Sequence, residues 1–171
     1  GLNALQLLFT IAVTAAGFPV AMLLRLSGPR LPLRLASRYW APLLQAGALR
    51  LGHEIRADVG DISPVRYDDK EIRQLILNLV RNGLEAMEPG GVISIRTYCE
   101  RGRVILSIAD TGSGIPREIL DRMGTPFLTT KEAGTGLGLS ICYRIAERHE
   151  AEIAVRSSPA GTVFLIMFKA V

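Results

Sequence analysis

The chain has 171 residues, 49% of them hydrophobic, and 20 Lys and Arg stand against 16 Asp and Glu. That length holds one substantial domain with an appendage but not two full domains, and a net charge of +4 without a basic cluster is too small and dispersed to argue for nucleic acid. The two cysteines, Cys99 and Cys142, lie far apart with no CxxC pairing or His spacing that suggests zinc, and read as reduced, packed thiols in a cytosolic compartment.

In chain order, residues 2–24 carry no charge. As a helix they would extend about 35 Å, enough to cross the apolar part of a bilayer. Arg25, Arg30, Arg34 and Arg38 follow, the flank expected on the cytoplasmic side. Gly17 and Pro19 interrupt the run, and a helix that pairs with a second subunit is equally apolar, so membrane span and buried pairing helix both fit. No basic segment precedes the run, which argues against a secretory signal. The stretch "SGPRLP", Ser27 to Pro32, cannot continue a helix. The expected division is therefore an apolar helix over 1–30 and one domain over 31–171.

Within that domain a helix is expected over Ala36–Leu49, with Pro42 in its first turn. "HEIRADV" alternates as a strand, with His53, Ile55, Ala57 and Val59 on the inward face. The spacing of Ile72, Leu75, Ile76, Leu79, Val80, Leu84 and Met87 predicts a helix over Asp69–Met87, opened by an Asp68–Glu71 capping box and stopped by "PGG". "VISIRTY" and "RVILSIAD" read as a hairpin turning at Arg101 and Gly102. A glycine-rich loop, an irregular stretch to Ala133 and a helix over Gly136–His149 come next. "EIAVRSS" and "TVFLIMF" close the chain, with Gly161 as their turn. Strands that pair locally with helices between them make an α+β fold, a two-layer α/β sandwich whose mixed sheet is covered on one face by helices.

Three constellations carry chemistry. Asn78 and Asn82, four apart, project from one side of the long helix, where an amide oxygen is a ligand for a hard cation such as Mg²⁺. In "DTGSGIP", Asp110 ends a strand and can accept a hydrogen bond from an exocyclic amine such as that of adenine, while Gly112 and Gly114 let a planar ring approach. "GTGLGLS", Gly134 to Ser140, leaves backbone amides open at a helix N-terminus, which suits a polyphosphate. It is neither a P-loop nor a dinucleotide fingerprint.

In order, "NLVRNGLEAM", "DTGSGIP", "TPFLTTK", "GTGLGLSI" and "GTVFLIMF" resemble the asparagine box, first glycine box, phenylalanine box, second glycine box and final glycine motif of sensor histidine kinases. Their ATP-binding domain, the Bergerat-type fold, is shared with gyrase, heat-shock chaperone and mismatch-repair ATPases. The resemblance implies that ATP and Mg²⁺ are bound, with Asn82 as metal ligand and Asn78 at the phosphate and metal region. It implies that Asp110 reads the adenine amine, with Gly112 and Gly114 beside the ring and the Thr162 hydroxyl supporting the Asp. Residues 117–133 would form a lid that includes Phe127 as its anchor, Thr130 in the nucleotide site, and Lys131 reaching the terminal phosphate. Gly134 with the amides of Gly136, Leu137 and Gly138 would hold the phosphates. Gly83 departs from the alanine common in the family, a change that weakens a helix by about 1 kcal/mol.

The same resemblance implies a protein histidine kinase that passes the ATP γ-phosphate to a histidine on a separate dimerisation hairpin, for relay to a response regulator, within a homodimer. "HEIRAD" imitates the start of an acceptor motif, but its alternation makes His53 a strand residue rather than the acceptor. His149 reads as structural, a cation at a helix C-terminus. Asn78 stands where hydrolysing relatives place a glutamate, so slow attack by water is expected. A serine kinase of the anti-sigma-factor type, an ATP-gated interaction module and a hydrolysing ATPase are the alternatives. The domain is expected to be cytoplasmic, anchored to the inner face of the membrane if residues 2–24 span it.

Overall fold

Apolar-rich segments, alternating with polar residues in Val92–Glu100 and nearly continuous in Arg103–Asp110 and Gly161–Lys169, organise the sheet. The structure, a computed structural model, describes Ala48 and residues 52–123 and 138–170. Five strands form: β1 (Glu54–Val59), β2 (Val92–Glu100), β3 (Arg103–Asp110), β4 (Glu152–Ser158) and β5 (Gly161–Lys169). The helices are α1 (Asp69–Ala86), the single turn α2 (Arg117–Leu120) and α3 (Gly138–Arg148). Strand order is β1-β2-β3-β5-β4. β1 and β2 are parallel, joined by the α1 crossover that a parallel pair requires, and all other neighbours are antiparallel.

The β2–β3 hairpin turns where expected: Arg101 (φ 50°) and Gly102 (φ 76°) both adopt the left-handed conformation of a tight two-residue turn. The last hairpin turns instead at Pro159 and Ala160, because Ser158 already pairs with Gly161. Gly161 is the first residue of β5, not the turn.

Helix spacing and strand alternation converge on one core. Leu75, Leu79 and Val80 of α1 and Cys142 and Ile145 of α3 pack against Ile93, Ile95, Leu106 and Ile166. On β5, Phe164, Ile166 and Phe168 are buried while Val163, Leu165 and Met167 stay half-exposed, so the helices cover one face, as the α+β reading requires. β1 follows the expected alternation only in part, since Ile55 is buried but Ala57 is exposed. Ala48 is helical and wholly buried; the rest of the expected 36–49 helix and the apolar segment 1–30 lie outside the described residues. No helix among the described residues is long and apolar enough to cross a membrane. The stretch read as irregular contains α2.

Half of the expected capping box forms. Asp68 Oδ1 accepts from the Glu71 N–H at 3.0 Å. The Asp68 N–H donates not to Glu71 but to His149 Nε2 at 2.8 Å, and the Glu71 carboxylate is drawn to Arg148, 2.8 Å away. His149 Nδ1 lies 2.7 Å from the Ile145 carbonyl, so Nδ1 carries the proton and Nε2 accepts. His149 is thus structural, but as an acceptor bolting the end of α3 to the start of α1 rather than as a cation. His149→Ala should lower unfolding free energy by about 1–2 kcal/mol, the usual effect of an orphaned hydrogen-bond donor, measured by urea unfolding.

Candidate functional site

Asp110, the last residue of β3, is the fixed point of the site. Its Oδ1 accepts from the Gly112 N–H at 2.9 Å and from the Thr162 N–H at 3.2 Å. Burial pushes its carboxyl pKa above the ordinary value, and the two N–H groups pull partly the other way. Among the described residues nothing bonds Oδ2, which leaves one acceptor oxygen open. Thr162 does support Asp110, but through its backbone rather than its hydroxyl, which lies 3.0 Å from Ser157 Oγ. Ser157 Oγ also accepts from the Ile115 N–H at 2.7 Å, tying the glycine loop to β4. No motif marks Ser157; only its register opposite Thr162 gives it this role.

The glycines let main chain approach main chain around that carboxylate. At Gly161 (φ 136°) a Cβ would lie 2.0 Å from the Asp110 carbonyl oxygen, and at Gly114 (φ 76°) 2.0 Å from that of Ser158. A Cβ on Gly112 would meet the Ala86 carbonyl oxygen at 2.7 Å, and that same carbonyl accepts from the Ser113 N–H. The loop thereby satisfies an orphan carbonyl at the end of α1.

Gly83 brings α1 down onto the same residue. A Cβ there would come within 2.6 Å of Ile93 Cδ1 and 3.0 Å of Asp110 Cβ. The departure from alanine is therefore also a matter of space, beyond its effect on helix propensity. Asn82 is half-buried one position away, and no described residue bonds its amide. Asn78, one turn earlier, donates its Nδ2 to the carbonyl of Gly138 at 3.4 Å, joining α1 to the first residue of α3. Cys142 is buried beside it, and burial pushes its thiol up to about 12, so it remains a thiol. α1 thus carries Asn78 and Asn82 and meets Asp110, Gly112 and Gly138, while Thr162 reaches Asp110 from β5 and Gly114 packs against β4 at Ser158. Phe127, Thr130, Lys131, Gly134, Gly136 and Leu137 lie outside the described residues.

His53 precedes β1, is buried, and its backbone N–H donates to the Ala48 carbonyl at 2.9 Å. A buried side chain at the sheet's start cannot reach a nucleotide without unfolding its surroundings. Among the described residues no group of three or more His, Cys, Asp or Glu could hold a metal ion.

The family model for histidine kinase-, DNA gyrase B- and HSP90-like ATPases matches residues 67–171. The chain belongs to that family. Among solved structures it is similar to the catalytic domain of the histidine kinase ThkA in a nucleotide-free form, with 30% identity and a TM-score of 0.73, over 82% of this chain and 93% of that one. It is also similar to full-length ShkA in complex with AMPPNP, at 26% identity and TM-score 0.73, over 81% of this chain and 30% of that one. Among curated proteins, Sporulation kinase C of Bacillus subtilis is 42% identical over 104 residues, covering 60% of this chain and 24% of that protein. Sporulation kinase A of the same organism is 43% identical over 105 residues, 61% of this chain and 17% of its own length. The chain thus spans about a quarter or less of these curated relatives. As in the rest of this ATPase family, the nucleotide is ATP, and the domain is of the histidine kinase type.

Two consequences of the Asp110 setting are measurable. Folding raises its pKa, so the folded chain holds this proton more tightly than the unfolded one. The group's contribution to stability is therefore fullest below the unfolded-state pKa and lost as pH rises through the folded-state pKa. Asp110→Asn should stabilise the chain at neutral pH, with the gain vanishing on acidification, in urea titrations at several pH values. Gly161→Ala should cost at least about 2 kcal/mol in the same assay, because strain at a positive φ adds to collision with the Asp110 carbonyl.

Proposed function

We propose that this chain is the ATP-binding catalytic part of a sensor histidine kinase, which transfers the γ-phosphate of ATP to a histidine carried on a dimerisation hairpin. The observation that carries this reading is the Asp110 carboxylate: one oxygen is fastened by the Gly112 and Thr162 N–H groups, and the other is left for an amine. Adenine offers that amine, and a carboxylate oxygen with a spare lone pair accepts from it. Gly112 and Gly114 would flank the base, and Gly138, joined to Asn78, would stand at the phosphate end.

Asn82 fits a Mg²⁺ ligand, since its half-buried carboxamide has no competing bond from a described residue. The ion, when bound, would neutralise phosphate charge. Asn78 has no basic group with which to activate water, and its Nδ2 is engaged by Gly138. Phosphoryl transfer depends chiefly on positioning and charge stabilisation, so the site would hold its substrate until a protein nucleophile arrives in line. Phe127, Thr130 and Lys131 would belong to a lid over 117–133, with Lys131 reaching the terminal phosphate, and Gly134, Gly136 and Leu137 to the phosphate loop. The similarity to sporulation kinases and to solved histidine kinases supports a response regulator as the final acceptor. A homodimer and a division at 1–30 and 31–171 complete the reading, with residues 2–24 either anchoring the chain at the cytoplasmic face of a membrane or pairing as a remnant of the dimerisation hairpin.

Radiolabelled ATP with Mg²⁺, added together with a kinase dimerisation hairpin, should label the hairpin histidine in an acid-labile, alkali-stable form. His53→Ala should label it equally well. Asp110→Asn should lose tenfold or more in affinity for a non-hydrolysable ATP analogue by calorimetry, while Asn82→Ala should abolish the Mg²⁺ dependence of that affinity. Steady phosphate release without a hairpin, or acid-labile label on His53, would overturn the assignment.

A further inference from the structure

α3 carries two faces. Cys142 and Ile145 are buried in the core, whereas Tyr143, Arg144 and Glu147, with the buried Ser140 one turn before them, form a second stripe beside β4. Between that stripe and Ile153 of β4 runs a groove of about 820 Å³ that reaches Met167 of β5. None of Asn78, Asn82 or Asp110 lines it.

Among the described residues β4 is an edge strand, paired only with β5. Alternate N–H and C=O groups along such an edge have no ladder partner, and edges are normally blunted by charge, proline or a bulge. β4 carries none of these at its centre. Its register with β5 is unbroken from Glu152 to Ser158, and the uncharged run of Ile153, Ala154 and Val155 is only half-buried. The charges sit on either side, and Glu152 is already tied to Arg103 at 2.7 Å. Across the groove, Arg144 and Glu147 are exposed, and neither side chain has an ion pair or hydrogen bond among the described residues.

We propose that this groove is a strand-addition site for a partner protein: an extended segment pairs its main chain with β4 and sets an acidic and a basic side chain, two residues apart, against Arg144 and Glu147. Residues two apart on a strand share a face and stand about 6.7 Å apart. Arg144 and Glu147 are separated by about 4.5 Å along the helix axis, a difference that long side chains bridge. A helix brings no free main-chain groups to satisfy the edge, and an apolar surface would answer neither charge. Main-chain pairing supplies affinity and the two charges fix register and direction.

The test is fluorescence anisotropy of a labelled peptide, Thr-Val-Asp-Thr-Lys-Val-Thr, titrated with the full 171-residue chain. Saturable binding is expected, weakened at least tenfold by Arg144→Glu combined with Glu147→Arg and restored when Asp and Lys are exchanged in the peptide. The double variant should bind an ATP analogue as the parent does, which shows that it is folded. A peptide N-methylated at alternate backbone nitrogens, tested on the unaltered chain, should lose binding. Absence of saturable binding, equal binding of the N-methylated peptide, or indifference to the charge exchange would each sink the proposal.

Discussion

The carboxylate of Asp110 is the point at which three parts of the molecule meet. Its own strand brings it to the end of the sheet, the glycine loop and β5 each give it an N–H, and α1 closes over it at Gly83. A half-buried acid of this kind is unfavourable by itself, because burial opposes its charge. The surrounding backbone offsets that cost, and it can come near enough only because Gly83, Gly112 and Gly161 have no Cβ to intervene. The sheet end is thus less a pocket cut into a finished fold than a place where the fold and the site use the same contacts.

α1 serves both purposes along its length. Ile72, Leu75, Ile76, Leu79 and Val80 fasten it to the sheet, and the periodicity that buries them leaves Asn78 and Asn82 at the boundary of the apolar stripe. An amide at such a boundary is held by packing on one side and remains available on the other. Asn78 uses that position to reach Gly138, so the two ends of α3 are each joined to α1: Gly138 to its middle at Asn78, and His149 to its start at Asp68. The separation of α1 and α3, and with it the geometry between asparagines and the start of α3, is set by hydrogen bonds as well as by the core.

Most of the fold was legible because its signals are local. Period two along β2, the apolar-rich runs of β3 and β5, the three- and four-residue spacing of α1, and the Arg101–Gly102 turn each depend on a few neighbouring residues. The candidate site was legible as residue types: Asp110, the two asparagines and the glycines could be picked out before any geometry was known. How they act together was less so. Thr162 helps Asp110 by its N–H instead of its hydroxyl, Ser157 joins the loop through register alone, and Asp68 is capped in return by a histidine 81 positions away instead of by Glu71.

By itself, then, the sequence determined which segments become strands and helices, most of the faces that turn inward, and which side chains have chemistry suited to a nucleotide. Only the tertiary structure decided which atom of each residue is used, that Gly161 begins a strand instead of making a turn, and that β4 with the outer stripe of α3 encloses a groove. The physical reason is range. Propensity and periodicity act over a few residues, whereas hydrogen-bond partners at a sheet end are chosen by strands and helices distant in the chain, whose separation is fixed only when the common core is packed.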